Sequence, residues 1–389
     1  MKILFLSFYF EPDLCAGSFR NTPLFKELLG RINKNDYIHV VTTQPNRYHS
    51  FRAEAKAIEA EVNYRIDRVT IPEHKSGFVD QAKSFYAYYK QALKLVKNEK
   101  FDLVYASSSR LFTAFLGRRL AVKNNCPLYL DIRDIFVDTM KDVLGSKKII
   151  RIPAVLVFRA IERYTFSRAT HINLVSEGFK SYFSKYRQPN YTYFTNGIDD
   201  LFIDNMLTQD NAGHSEKIIT YAGNIGSGQG LEKIVPQAAK KIANGFRFRI
   251  IGDGGTKKLL MDKISELDVK NVELLNPVSR EELIKYYSDS DFLFLHLNDL
   301  DAFKKVLPSK LFEYVAFGKP IIAGVGGYAA DFIESNLDNY ILFTPANVDD
   351  FVNRLVNFKD NGSKREAFIA KFARRNIMKS MAQTILSCK

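Results

Sequence analysis

The run KKVLPSKLFEYVAFGKP, residues 304–320, decides how the rest of the chain is read. It reads as a loop, a short helix and a turn into a buried strand over Pro320–Gly324. Pro308 suits a first helical turn, where its missing N–H would have no partner anyway. Leu311, Phe312 and Val315 form an apolar face, and Gly318 is placed to end the helix. Lys304, Lys305 and Lys310 then gather near a helix start, where free N–H groups and the helix dipole favour an anion, a diphosphate above all. Glu313, one turn further in, is placed for ribose hydroxyls. The alternative is a solvated lysine cluster on a surface helix.

Strand, glycine turn and helix alternate on both sides of this run. The first half opens with an apolar run over Ile3–Phe10, the signature of a central parallel strand, and Gly17 precedes a helix expected from Ser18. Strands are expected at Tyr37–Gln44, Tyr64–Pro72, Phe101–Ser107 and Leu128–Asp134, with a loop and a helical piece between the first two of these. The last of them is apolar until Asp131-Ile132-Arg133-Asp134, so Arg133 and Asp134 fall at the carboxyl end where open α/β sheets bind ligands. Asp134 can orient or deprotonate an acceptor hydroxyl, or pair with an arginine for structure alone.

In the second half a strand over Lys217–Ala222 leads into Gly223-Asn224-Ile225-Gly226-Ser227-Gly228-Gln229-Gly230. Four glycines between strand and helix suggest a phosphate loop, though this is neither a dinucleotide fingerprint nor a Walker loop. Gly252-Asp253-Gly254-Gly255 follows the strand Phe246–Ile251 as a second glycine turn on the same edge. Asp289-Ser290-Asp291 could hold a metal, but it precedes its strand and reads as a turn at the amino end. The six histidines have no metal-ligand spacing, and no metal site is expected.

The chain has 389 residues, 46% of them hydrophobic and 25% charged, which suits two ordinary globular domains. No apolar run reaches the length of a membrane span, and no signal-peptide layout is evident at the start. Cys15, Cys126 and Cys388 lack disulfide or metal spacing, so a reducing cytoplasm is expected. Residues 1–200 carry a net charge of +11 and the remainder only +2. The first half therefore expects an acidic partner, and no nucleic-acid-binding signature accompanies it. The segment 141–169 interleaves Ile, Val, Leu and Phe with Lys147, Lys148, Arg151 and Arg159. This fits a helix lying on an anionic membrane face, or a packed helix whose arginines reach past it to water.

VSEGF (175–179), TNGID (195–199), YAGNIGSGQGL (221–231), IIGDGG (250–255) and PSKLFEYVAFGKPIIA (308–323), in this order, resemble the family 4 retaining glycosyltransferases. The resemblance covers essentially the whole chain. It implies an α/β GT-B fold of two Rossmann-like domains facing a cleft: an acceptor-binding domain at 1–197, a linker at 198–216, a nucleotide-sugar-binding domain at 217–364, and a terminal helix at 365–389 that can brace the first domain. The implied reaction is sugar transfer with retention from a nucleotide donor, without a metal or other cofactor.

Donor contacts are then expected from Gly17, Gly223, Asn224, Gln229, Gly252, Asp253, Val278, Pro308, Ser309, Lys310 and Glu313, the last on the ribose. The family's two loop cations fall on Asn224 and Gln229, and its first motif glutamate falls on Lys305. Lys305 or Lys310 is therefore expected to hold the leaving diphosphate, with Arg133, Asp134 and Lys305 as the catalytic set. A narrower similarity, to N-acetyl-L-fucosaminyltransferases of bacterial surface-polysaccharide synthesis, implies a UDP-linked N-acetylamino sugar. It also implies a polyprenyl-diphosphate saccharide acceptor and a peripheral place on the inner face of the cytoplasmic membrane. Competing readings are a nucleotide-sugar epimerase or hydrolase on the same frame, and a non-catalytic partner subunit.

Overall fold

A computed structural model describes residues 1–46, 54–72, 78–108, 111–144, 148–205 and 215–388. The chain divides into two compact units, one of residues 1–196 with 375–389 and one of residues 197–374. Residues 197–205 thus belong to the second unit, with a short helix at Asp200–Ile203 where a linker was expected. Residues 206–214 of that expected linker lie outside the described residues. The helix Glu366–Phe372 stays with the second unit, and the tail joins the first only from Arg375.

The first unit holds β1 (Lys2–Ser7), β2 (Tyr37–Thr43), β3 (Ile58–Glu61), β4 (Tyr64–Val69), β5 (Leu103–Ser108), β6 (Leu128–Ile132), β7 (His171–Leu174) and β8 (Asn190–Thr192). They form one sheet in the order β3-β4-β2-β1-β5-β6-β7-β8. Every pairing is parallel except β3 with β4. β5 and β6 are fully buried and β1 is buried after Lys2, which is why these central strands are largely apolar. β3 corrects the loop-and-helix expectation for its stretch: Ile58-Glu59-Ala60-Glu61 is a mostly exposed edge strand. Its carboxylates protect a free sheet edge.

The second unit holds β9 (Lys217–Asn224), β10 (Phe246–Asp253), β11 (Val272–Leu275), β12 (Phe292–His296), β13 (Ile321–Gly324) and β14 (Tyr340–Phe343). Their order is β11-β10-β9-β12-β13-β14, all parallel. The order turns back between β9 and β12, and open α/β sheets bind ligands beyond the carboxyl ends at such a switch. The core under this sheet includes Ile219, Tyr221, Phe248, Ile250, Phe294 and Phe351.

β9 and β10 are each two residues longer than expected. Gly223 pairs with Gly252 and Asn224 with Asp253, so these residues are strand ends and not loop residues. The glycines have a steric reason. Gly252 has φ +149°, and a Cβ on it would overlap the Gly223 carbonyl.

Candidate donor and acceptor sites

The helix Ser309–Val315 starts one residue later than the sequence suggests, with Pro308 as its N-cap at φ −63° and ψ 130°. Gly318 closes the turn after it with φ +63°. Leu311, Phe312, Tyr314 and Val315 are buried. Tyr314 fixes the helix to the sheet: its hydroxyl donates to the Phe294 carbonyl at 3.0 Å and accepts from the Ala222 amide at 3.4 Å.

That anchoring places Lys310 at the end of β9. A Cβ on Gly223, which has φ +138°, would collide with Lys310 Cε and Nζ. The Lys310 ammonium also lies 5.0 Å from the centroid of the Tyr221 ring, within reach of its negative face. Glu313 is half-buried one turn on. Loss of solvent holds its carboxyl above the ordinary value, and Arg280, Arg374 and Lys310 offset only part of that rise. The structure therefore brings Gly223, Lys310 and Glu313 together at the switch point.

Lys304 and Lys305 behave differently from Lys310. The Lys304 ammonium lies 3.4 Å from Asp299 and 3.1 Å from Asp301, which raise its pKa. It does not join an anion-binding set of three lysines. Lys305 ends a 3₁₀ turn over Phe303–Lys305 and is half-exposed. Ser309 opens the helix, and Val278 sits half-buried in the turn after β11.

The glycine-rich stretch is held internally more than a phosphate loop would be. Ile225 donates its amide to the Asp253 carbonyl at 2.8 Å, and Gln229 and Gly230 donate to the Gly226 carbonyl. Gly254 N–H is taken by the Asp253 carboxylate at 2.8 Å. Asn224 and Gln229, the positions where the resemblance implies cations, bond to one another, Asn224 Nδ2 to Gln229 Oε1 at 2.9 Å.

Two residues that sequence reading missed hold this stretch from the end of β12. Asn298 donates its amide to Gly228 at 2.9 Å and its side-chain NH₂ to the Ser227 carbonyl. His296 Nε2 accepts from the Ala346 amide at 2.9 Å, which fixes the tautomer and leaves Nδ1–H to donate to Gln229. Burial keeps this imidazole neutral, with its pKa down at about 4. Polar residues ending an apolar strand, as in LHLN (295–298), were the available signal.

Asp289 and Asp291 serve the amino end of β12. Asp289 pairs with Arg249 at 2.9 Å, and Asp291 takes the Ile218 amide at 2.8 Å. Ser290 bonds Thr220 at 2.6 Å.

In the first unit, Gly17 lies inside the first turn of the helix Ala16–Leu29 and not in the loop before it. A Cβ there would meet the Arg133 guanidinium at 2.8 Å, so Gly17 and Arg133 adjoin at the carboxyl edge of the sheet. Asp134 is exposed beside them. The aspartate three residues earlier, inside β6, has a separate role. Asp131, fully buried, binds Arg20 Nε at 2.7 Å and Nη2 at 2.9 Å. Arg20 also donates to the Thr195 and Phe194 carbonyls, and Asn173 donates to both Asp131 and Phe194.

The 141–169 segment forms a helix over Lys148–Phe166 with two unlike faces. Phe158 packs edge-on against Phe136, and buried Glu162 accepts from the Tyr182 hydroxyl at 2.5 Å. On the other face Ile152, Leu156 and Val157 are 58%, 60% and 57% exposed, an apolar stripe that ordinary packing would cover. Lys141, Arg151 and Arg159 flank a hollow of about 340 Å³ lined by Ile152, Val155 and Leu156. Lys147 and the Lys148 side chain lie outside the described residues. Among the described residues no helix is long and apolar enough to cross a membrane.

Residues 203–375 match the family model of Glycosyl transferases group 1. The match covers less than half of the chain but nearly all of the second unit, where Lys310 and Glu313 stand. The chain is 26% identical over 229 residues to WcaI, a proposed colanic acid biosynthesis glycosyl transferase of Escherichia coli (strain K12). That alignment spans 56% of this chain and 56% of WcaI.

Among solved structures, HepE of Anabaena in complex with UDP and glucose is similar over 100% of both chains, with a TM-score of 0.68 at 16% identity. WaaG, a glycosyltransferase involved in lipopolysaccharide biosynthesis, is similar over 98% of this chain and 95% of its own, with a TM-score of 0.63 at 13% identity. At these identities the likeness establishes the fold, two Rossmann-like α/β units as in GT-B glycosyltransferases.

Proposed function

We propose that this chain is a nucleotide-sugar-dependent glycosyltransferase of polysaccharide biosynthesis. The observation that carries the reading is the placement of Lys310 against Gly223 at the sheet's switch point, with Glu313 one turn away. The family match over this unit and the likeness to a UDP-bound structure support it. In this reading the diphosphate of a UDP-sugar lies beyond the end of β9, where Lys310 neutralises charge as the nucleotide leaves. Glu313 accepts from ribose hydroxyls, and Val278 borders the nucleobase. Lys305 adds charge from the neighbouring turn. The aspartates of Asp289-Ser290-Asp291 are turned to Arg249 and the Ile218 amide, so the lysines are assigned the role a metal would have.

Transfer proceeds with retention, and the acceptor is a lipid-linked saccharide approached by Arg133 and Asp134. The preferred donor carries an N-acetylamino sugar, and the preferred acceptor carries a polyprenyl diphosphate. The stripe Ile152, Leu156 and Val157, with Arg151 and Arg159 beside it, is assigned to an anionic membrane surface at the inner face of the cytoplasmic membrane. Replacing Arg151 and Arg159 by glutamate is expected to reduce co-sedimentation with vesicles containing phosphatidylglycerol; equal sedimentation of both forms argues against the surface.

The direct test of the donor is protection from thermal unfolding. A UDP-sugar at a hundred times its Kd should raise Tm by about 5–10 °C, while GDP- and dTDP-sugars give less. Equal midpoints with and without every nucleotide sugar would argue for a second reading, a non-catalytic partner that keeps the fold. The mutual bond between Asn224 and Gln229, which occupies both positions of the missing cations, favours that alternative.

A further inference from the structure

Glu313 is acted on by charged groups drawn from separate parts of the second unit. Asp199, just before the helix Asp200–Ile203, binds Arg280 Nη1 at 2.9 Å and Arg374 Nη1 at 2.5 Å through a single carboxylate oxygen. Arg374 also donates to the Gly197 carbonyl at 3.0 Å. Arg280, the first residue of the helix Arg280–Ser288, lies over the Phe202 ring at 4.8 Å. Phe202 in turn packs edge-on against Phe317, just beyond the helix that carries Glu313. Asp199 and Arg374 stand where the chain enters and leaves this unit, joined by the bridge between Ile198 and Ala373.

The charged groups that act on the Glu313 carboxyl are Arg280, Arg374 and Lys310, which favour its anion, and Asp199, which opposes it. Asp199 is itself held below the usual carboxylate range by Arg374 and Arg280, against the upward push of burial. It therefore stays ionised and fixes both guanidinium groups in place. Tyr287 and Tyr314 complete the titratable surroundings, and burial keeps both protonated.

We propose that Arg280 and Arg374, locked in place by Asp199, are positioning residues that hold Glu313 as a carboxylate ready to accept hydroxyl donors. The inference rests on the reading of Glu313 as the donor-binding carboxylate. A half-buried carboxyl that took up a proton would offer a donor where the ribose needs acceptors. Burial favours that protonated form and the arginines oppose it, while Asp199 keeps them from folding onto Glu313 themselves. Among the described residues, no side chain hydrogen-bonds Glu313.

The test is a pair of pH titrations on the full chain. In the first, UDP affinity is measured by calorimetry from pH 5.5 to pH 9 for the wild type, Arg280→Gln and Arg280→Lys. Arg280→Gln should bind UDP roughly tenfold more weakly than wild type at pH 6 and nearly as well at pH 9, and Arg280→Lys should restore the wild-type profile. In the second, the Glu313 carboxyl is titrated without ligand by carbon NMR of glutamate-labelled protein, assigned with Glu313→Gln. Its midpoint should move upward in Arg280→Gln. Identical midpoints in wild type and Arg280→Gln would overturn the inference, as would a loss of affinity equal at every pH. If the wild type binds no UDP at any pH, the donor reading fails, and the carboxyl titration still decides the role of Arg280. Should Arg280→Gln not fold, Arg374→Gln takes its place with the same expected shift.

Discussion

Asparagine in place of Asp131 is expected to destabilise the first unit by about 3–5 kcal/mol, seen as an earlier urea transition of that unit. The reason is the charge left behind. Arg20 is only 1% exposed and Asp131 is 0% exposed, so the guanidinium cannot turn to water when its partner is lost. Asparagine keeps an oxygen for one of the two Arg20 contacts but supplies no negative charge. The damage should spread to residues 192–195, because Asn173 links Asp131 to Phe194, and Arg20 links it to Phe194 and Thr195. Replacing both partners by apolar residues, Arg20→Met with Asp131→Leu, should recover much of the loss, since no buried charge then remains. A single change no worse than an ordinary surface substitution would show that the pair is dispensable.

Alanine at Gly252 is the second large effect, expected to destabilise the second unit by about 2–5 kcal/mol and to weaken nucleotide binding with it. The added methyl overlaps the Gly223 carbonyl, and that obstacle is backbone, which no side-chain rotation clears. The φ of +149° adds strain for any residue with a Cβ. Relief requires β9 and β10 to separate at their carboxyl ends, the point where Gly223 supports Lys310. Alanine at Gly362, which has φ +73° but open space around it, is the control that carries only the backbone strain. Comparable losses at the two sites would remove the close-approach argument.

The fold was legible because its physics is local. Buried parallel strands are mostly apolar, and the turns between them and their helices often carry glycine or a cap, so IIGDGG and YAGN point to strand ends here. Even there the reading placed Gly223, Asn224, Gly252 and Asp253 in loops. Glycine weakens a strand in general, but here it is what allows the two strand ends to approach. β3 was missed for a different reason: an exposed edge strand has no buried face to set a period in the sequence.

The candidate site was legible in part. Lys310 and Glu313 share one short helix, so their neighbourhood follows from spacing alone. Lys304 was misread although Asp299 and Asp301 stand close by in sequence, because helix-start logic counts charges without asking which are already paired. Arg280, Arg374 and Asp199 could not be read at all. They come from positions up to 175 residues apart and meet only once the sheet and its helices are packed. Arg20 and Asp131, 111 residues apart, are the same case in the first unit.

In the proposed function, Lys310 meets the diphosphate of a nucleotide donor at the end of β9. Calorimetric titration of UDP into the wild-type chain and into Lys310→Ala tests it most directly. Wild type should bind, and the variant should bind about 10–150-fold more weakly, the roughly 1.5–3 kcal/mol of a charge-assisted contact. Equal affinity in the two proteins, or no binding by the wild type, would contradict it.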